Sequence, residues 1–547
     1  MKTTTSSIVL ALMLLACAPL RAAPMTPEQQ AIHVLNRLGY GPAAGDVERV
    51  RQMGVQRYID SQLHPESIPL PEELAARLRG LDTVNRTAGE SLREFTELRK
   101  EVRDEDEGAK QRRRLALGRI NREMAEARLL RAIESPRQLE EVMADFWFNH
   151  FNVFAGKGLD RALIASYERD AIRPYVLGSF RDLLGATAKH PAMLFYLDNY
   201  VSTSNQFGEE QARKGAKGQA RGLNENYARE LMELHTLGVD AGYTQKDVTE
   251  LARMLTGWTF EPRRMVRFNE TFHFDPKRHD QGAKTWLGRP VAPDGQQEGE
   301  MALDVLAVHP ATAHHVSYQL AQYFVSDVPP PALVERMAKT WIASRGDIRS
   351  VLRTLFTSDE FMSPQAVGAK FKTPYQFVVS AVRASGATVQ NVAPLLGTMS
   401  QLGMPLYGCQ TPDGYKNTQD AWLNPDALTR RITFATALGA GRIALASPPP
   451  DMQAMSASAA LPPRAVAQGE QAPPTGMVSP AAPPPMVTAT VSSAAMAAAS
   501  AQQPVDPARL AATLDGSISP RTREAMAHNP PELRAAMLLG SPDFMQH

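Results

Sequence analysis

The sequence predicts a mainly α protein, a large single helical domain with at most a small β element, interrupted by a disordered Ala/Pro-rich insertion. Two observations carry this expectation. Apolar residues across 139–438 recur at helical spacing, with few alternating stretches. Residues 447–505 then collapse to Ala, Pro, Ser, Met, Gln and Val with almost no charge, which cannot bury enough apolar surface to offset ordering entropy. With 547 residues, 43% of them hydrophobic, the chain can bury one large core or two smaller ones.

The N-terminus has a lone Lys2, an apolar run from Ile8 to Ala16, then Pro19, Arg21, Ala22 and Ala23, the layout of a secretory signal. The run falls short of the ~20 apolar residues that span a bilayer, and no later stretch reaches that length. Two processing sites compete. Cleavage after Ala22 leaves Ala23 first and gives a periplasmic chain with a 1–22 signal. Leu14-Leu15-Ala16-Cys17 instead resembles a lipobox, giving an outer-membrane lipoprotein anchored at Cys17. The other cysteine is Cys409, so the mature chain has no internal disulfide. A formal net charge of +1 makes no electrostatic case for a nucleic-acid partner.

The helical domain is expected over 26–446. Thr26-Pro27-Glu28 reads as an N-cap with Pro at the first helical position, and Gly39-Tyr40-Gly41-Pro42 as a stop. Residues 72–137 are charged, with Leu and Ala at helical spacing and a solvated hinge near 104–108, and predict a helical hairpin with exposed faces. Residues 267–274 alternate Phe268, Phe272 and Phe274 and predict a short strand. Residues 506–547 resume a helical pattern that should dock on the main domain.

Four segments could carry chemistry. In Phe146-Trp147-Phe148-Asn149-His150-Phe151, the aromatic surroundings bury the polar pair, so Asn149 and His150 need internal partners, an unpaired buried polar group costing on the order of 1–3 kcal/mol. Asn149 is a candidate ligand-binding residue and His150 a candidate metal ligand. Asn224 to Gly238 reads as a helix capped by Asn224 and stopped by Gly238. Glu225, Arg229 and Glu233 form a charge ladder beside the stripe Leu223, Tyr227, Leu231 and Leu234; Glu230 and His235 flank it as candidate catalytic groups, and Asn226 and Arg229 as ligand contacts. Neither the His-Glu pattern of a zinc protease nor Glu-x-x-His of a di-iron bundle is present there. The basic, Gly-containing loop 204–222 before this helix suits either an anion or plain solvent. The third segment, His279-Asp280-Gln281-Gly282-Ala283-Lys284-Thr285, places base, carboxylate and cation within reach of one ligand, and His279, Asp280 and Lys284 are candidate catalytic residues. The fourth, His309-Pro310-Ala311-Thr312, is a helix start, with His309 a second candidate metal ligand or a cap; His314 and His315 diverge beyond it.

These segments, with Gly242-Tyr243-Thr244 and Lys370-Phe371-Lys372-Thr373-Pro374, together resemble the bacterial domain of unknown function 1800 family, from about His33 to the C-terminus. Related sequences commonly carry a second His where Phe148 stands, so a His pair in that motif is absent here. The resemblance implies a large, mostly helical exported protein, frequently encoded beside a sulfatase-like family (domain of unknown function 1501), and no particular activity. Two functions therefore stand side by side. One is an extracytoplasmic enzyme, hydrolytic or metal-assisted with a divalent metal as candidate cofactor, acting on envelope or environmental substrates. The other is a non-catalytic accessory or binding partner of a sulfatase-like protein. Both processing readings remove at least residues 1–16. The intact mass of protein taken from the envelope should therefore begin at Ala23 or at an acylated Cys17, and a mature chain retaining Met1 would overturn both.

Overall fold

In the computed structural model, residues 24–101, 107–213, 222–447 and 503–547 are described. The leader and the 448–502 part of the low-complexity insertion lie outside them, as do 102–106 of the expected hinge and 214–221 of the basic loop. Helices dominate, and among the described residues the sheet is limited to two short antiparallel ribbons. β1 (Trp258–Thr259) pairs with β2 (His273–Phe274), and β3 (Lys284–Trp286) with β4 (Arg289–Val291).

The first helix, Pro27–Arg37, starts as its sequence requires. Thr26 accepts from the Gln29 N–H and Gln29 reaches back to the Thr26 N–H, a reciprocal cap with Pro27 at the first position. The charged stretch 72–137 differs from expectation. It is divided into Glu72–Arg79, Asp82–Asn85, Ala88–Glu101 and Glu107–Glu134, and the last of these is only partly a solvated face. Its C-terminal half carries Leu129, Leu130 and Ala132 into the core, and Arg128 goes in with them. A basic residue at helical spacing looks exposed in sequence; here two carboxylates from other helices meet it.

The expected strand at 267–274 survives only as His273–Phe274. Arg267 and Phe268 belong to the helix Pro262–Phe268, which Pro262 starts and Asn269 ends in the left-handed conformation (φ 53°). The helix expected behind an Asn224 cap begins one residue later, as Asn226–Glu233 with Glu225 at the cap position. Asn224 still serves the turn, its Oδ1 accepting the Asn226 N–H at 2.9 Å. The helix stops before His235, and Gly238, in a left-handed conformation, donates its N–H to the Met232 carbonyl.

The middle of the chain stacks helices in sequence, Pro310–Phe324 on Pro331–Ser344 and that on Ile348–Phe356. The C-terminal helix Pro531–Leu539 packs along Pro425–Gly439, and Gln546 bridges to Phe371. One continuous apolar core joins the N-terminal helices, the middle and the C-terminal helices.

Inside that core lies a chain of charges. Arg128 reaches Asp145 at 2.5 Å and Glu168 at 3.1 Å; Arg173 reaches Glu168 at 3.0 Å and Glu141 at 2.7 Å. Tyr407 donates its hydroxyl to Glu168 at 2.6 Å. Glu168 sits on a π-helical turn, Tyr167–Ile172, whose wider winding carries it to this junction. Burial opposes the ionisation of Glu168, but the two arginines and the tyrosine outweigh it and hold the carboxyl down at about 2. Arg128→Met would leave Asp145 and Glu168 short of their shared cation. Removing one partner of a buried pair costs about 3–5 kcal/mol, so urea unfolding should show a loss of that order; a loss below about 1 kcal/mol would contradict the role given to the network.

Candidate functional site

The helix Gln138–His150 is buried on nearly all sides, as its aromatic run predicts. Trp147 donates its indole N–H to the Val176 carbonyl at 3.0 Å, and Phe146 meets Tyr323 edge to face. Pinned this way, the helix turns Asp145, Asn149 and His150 toward one cleft of about 280 Å³. The helix Pro310–Phe324 also lines it, with His315, Gln319, Gln322 and Tyr323 following one another at helical spacing on the same face. Glu233 and Leu234 also line it, and the 404–417 loop brings Met404, Asp413, Tyr415, Lys416 and Asn417.

The loop is held by two asparagines. Asn149 donates to the Tyr415 carbonyl at 2.8 Å and accepts the Tyr415 N–H at 2.7 Å. Asn152 donates to the carbonyls of Cys409 and Thr411. Gly414 is required at the crossing: its φ is 69°, and a Cβ there would lie 2.3 Å from the Asn149 carbonyl oxygen. Asn149, a ligand contact in the sequence reading, thus spends its amide on the loop while its side chain still lines the cleft.

His150 places Nε2 3.1 Å from the His235 carbonyl. A carbonyl only accepts, so Nε2 carries the proton and Nδ1 the lone pair. The His235 ring lies 6.0 Å from that of His150, behind the cleft wall. Burial depresses all three histidines here: His150 down to about 4, His235 well below its usual value, and His315 also downward. The two cleft carboxyls at Asp145 and Asp413 move apart. Burial pushes Asp145 up, and Arg128, already shared with Glu168, only partly offsets it. Burial works the same way on Asp413, but hydrogen bonds from Lys416, at 2.8 Å, and Thr411 outweigh it and hold that carboxyl below its ordinary value.

The other sequence-derived candidates lie elsewhere. His279, Lys284 and the unforeseen Glu298 form a buried knot: His279 Nε2 is 3.2 Å and Lys284 Nζ 2.9 Å from the Glu298 carboxylate. His279 Nδ1 faces the Thr256 carbonyl at 2.9 Å, and Asp280 pairs with Arg253 at 2.9 Å. This knot ties the second ribbon to the helix Gln296–Ala307, and none of its members lines the His150 cleft. Glu230 is half-buried, pushed up by burial and then by Glu233, and does not line the cleft. Asn226 donates to the Leu197 carbonyl at 3.3 Å, and Arg229 contacts Glu225 and Gln245. His309 caps the helix Pro310–Phe324, its Nδ1 accepting the Ala311 N–H at 3.1 Å, and lines a separate recess with Tyr243 and Asp247. His150 and His309 therefore do not share a site. Among the described residues, no group of three or more His, Cys, Asp or Glu side chains is gathered to hold a metal ion. Phe148 packs against Tyr407 and under Arg128, on the ion-network side of its helix.

The model of the family described as Protein of unknown function (DUF1800) matches residues 33–546. The chain belongs to the DUF1800 family. No curated protein and no solved structure matches it. The family match spans both walls of the cleft, the knot and the C-terminal helices, so in this DUF1800 chain these features belong to one family unit.

Sequence reasoning passed over Asp145, His315, Gln319 and Asp413. A signal existed for the second and third. In the helix Pro310–Phe324, His315 and Gln319 stand four apart with Tyr323 four further on, polar groups in register on an otherwise apolar helix. His314, by contrast, is exposed beside Glu335.

The buried histidines have a pH consequence. Unfolded histidines titrate near 6.5, whereas His150 is held at about 4 and His33 and His190 at about 3. The folded state of this DUF1800 protein thus binds fewer protons than the unfolded state in that interval. Stability should be full above about pH 6.5 and fall steeply as pH drops toward 4. His150→Phe should lessen the slope by up to about 1.4 kcal/mol per pH unit; a flat pH profile across this window would refute the assignment of neutral buried rings.

Proposed function

We propose that this protein is a hydrolytic enzyme acting outside the cytoplasm, with its chemistry in the His150 cleft. The observation that carries the reading is one cleft in which two of the three lining carboxyl groups are pushed in opposite directions by their surroundings, Asp145 up and Asp413 down. Such a split assigns an acid and a base. Asp145, whose ionisation burial disfavours, is the group that supplies a proton to the leaving group. Asp413, ionised, takes a proton from the attacking water. A bond forms between the water oxygen and the substrate's electrophilic carbon as the bond to the leaving group breaks. His150, neutral and locked to the His235 carbonyl, orients rather than ferries protons.

This reading moves the chemistry from the His279 loop to the helix Gln138–His150. The leader that the sequence predicts is the support for an extracytoplasmic setting.

A panel of glycosides, esters and peptides, assayed with the full mature chain, tests it. The native protein should hydrolyse at least one class, and Asp413→Asn should lower kcat by about 10²–10⁴-fold. Asp145→Asn should do the same, with circular dichroism confirming the fold because Asp145 also meets Arg128. Asp413 sits on the surface loop, so its variant gives the answer if Asp145→Asn unfolds. No hydrolysis across the panel, or unchanged turnover in Asp413→Asn, would overturn the proposal.

A further inference from the structure

Asp145 has a second hydrogen-bonding partner beyond Arg128. Tyr323 lines the same cleft with its ring edge to face with Phe146, and its hydroxyl is hydrogen-bonded to the Asp145 carboxyl. A phenol can donate its proton and can accept another, so this contact alone does not say which group gives. The direction is set by the segment Lys370-Phe371-Lys372-Thr373-Pro374 and the helix that it opens.

Thr373 caps the helix Pro374–Ser385. Its hydroxyl accepts the Gln376 N–H at 3.3 Å, and Gln376 Oε1 accepts the Thr373 N–H at 2.9 Å. A backbone N–H only donates, so the amide oxygen of Gln376 must face Thr373 and its NH₂ group must face away. On that side Nε2 stands 3.2 Å from the Tyr323 oxygen. An amide NH₂ also only donates. Tyr323 therefore accepts from Gln376 and gives its own proton to Asp145. Asp145, Tyr323, Thr373 and Gln376 are all buried, where such a chain is not turned around by competing water. Gln376 itself does not line the cleft.

We infer that Gln376 is a positioning residue: held by the Thr373 cap, it aims the Tyr323 hydroxyl at Asp145. Arg128 occupies Oδ1 of the same carboxyl at 2.5 Å. With Tyr323 donating, a protonated Asp145 does not spend its proton on that oxygen. The carboxylate left after proton transfer keeps two donors, Arg128 and Tyr323, where it forms. This use of the aim rests on the hydrolase reading above; the aim itself rests on the hydrogen bonds. The other ionisable groups that act on Asp145 are Arg128, Glu168, Tyr40 and Tyr375, and the variants below leave all four in place.

The full mature chain, isotope-labelled at its aspartate carboxyls, is titrated by NMR, and the Asp145 signal is identified by its loss in Asp145→Asn. Tyr323→Phe removes the donor and should raise the Asp145 midpoint by about one pH unit, the scale of one hydrogen bond to a charged group. Gln376→Glu keeps the Thr373 cap, since Glu serves that position equally. Its carboxylate accepts and draws the Tyr323 proton away. It should raise the midpoint as well, and add little in combination with Tyr323→Phe. Gln376→Met, with no donor for Tyr323, should raise it by less, and it replaces the Glu variant if circular dichroism shows that one unfolded. An unmoved midpoint in Tyr323→Phe, or Gln376→Glu acting as strongly without the Tyr323 hydroxyl as with it, would overturn the inference. So would an unmoved midpoint in Gln376→Met. The two proposals fail separately. Midpoints that move as expected in a protein that hydrolyses nothing would refute the hydrolase and keep the aim. Hydrolysis dependent on Asp413, with the Asp145 midpoint unmoved in Tyr323→Phe, would keep the hydrolase and refute the aim. Where both hold, the alkaline limb of the pH–rate profile should move up with the Asp145 midpoint.

Discussion

Arg128 is the point on which several elements of this protein converge. Its guanidinium lies between Asp145 and Glu168, and over the rings of Phe148, Tyr375 and Tyr407. The partners come from four parts of the chain: the helix Gln138–His150, the π-helical turn Tyr167–Ile172, the helix Pro374–Ser385 and the loop at 404–417. A cation taken from water is costly unless its geometry is filled, and here the filling defines where those segments must sit. Tyr407 accepts a left-handed backbone, φ 58°, while its hydroxyl reaches Glu168. A non-glycine residue held in that conformation is strained by itself, and the buried hydrogen bond is an evident compensation.

The network also reaches the cleft. Glu168 receives both Arg128 and Arg173 together with a tyrosine hydroxyl, so it is the carboxylate that stays ionised. Asp145 receives a share of Arg128 and faces the cleft, and burial raises it. The same arrangement that joins the helices therefore shifts two carboxyls in opposite directions. Around them, low polarity keeps His150 and His235 neutral. These links single out the cleft beside the aromatic helix as the candidate site, whereas in the Gly-containing loop at 279–285 His279 and Lys284 are paired with Glu298.

Much of the architecture was legible. Helical periodicity over 139–438, the Thr26 cap and the C-terminal amphipathic pattern are local signals, and local signals survive folding when no tertiary contact opposes them. Where contacts did oppose them, the expectation failed in a definite way. Phe268, read as one of three alternating strand positions, lies on a helix because Pro262 and Asn269 bound it. Arg128, read as part of an exposed hairpin, is buried because its counter-ions are 17 and 40 residues further along. The lining of the candidate cleft was half legible. His150 and Asn149 stood out because polar residues among aromatics need partners; Asp413 did not, since nothing near it in sequence shows that Asn149 pins its loop.

By itself, the sequence determined a mainly helical DUF1800 chain and a polar pair buried among aromatic side chains, because periodicity and composition act within a few residues. Which carboxyl is pushed up and which down, which histidines stay neutral and which residues share a cleft were decided only by tertiary structure. Those properties depend on burial and on charges brought together across hundreds of residues, and Asp145 with Asp413, apart in sequence and joined in one cleft, is the clearest case.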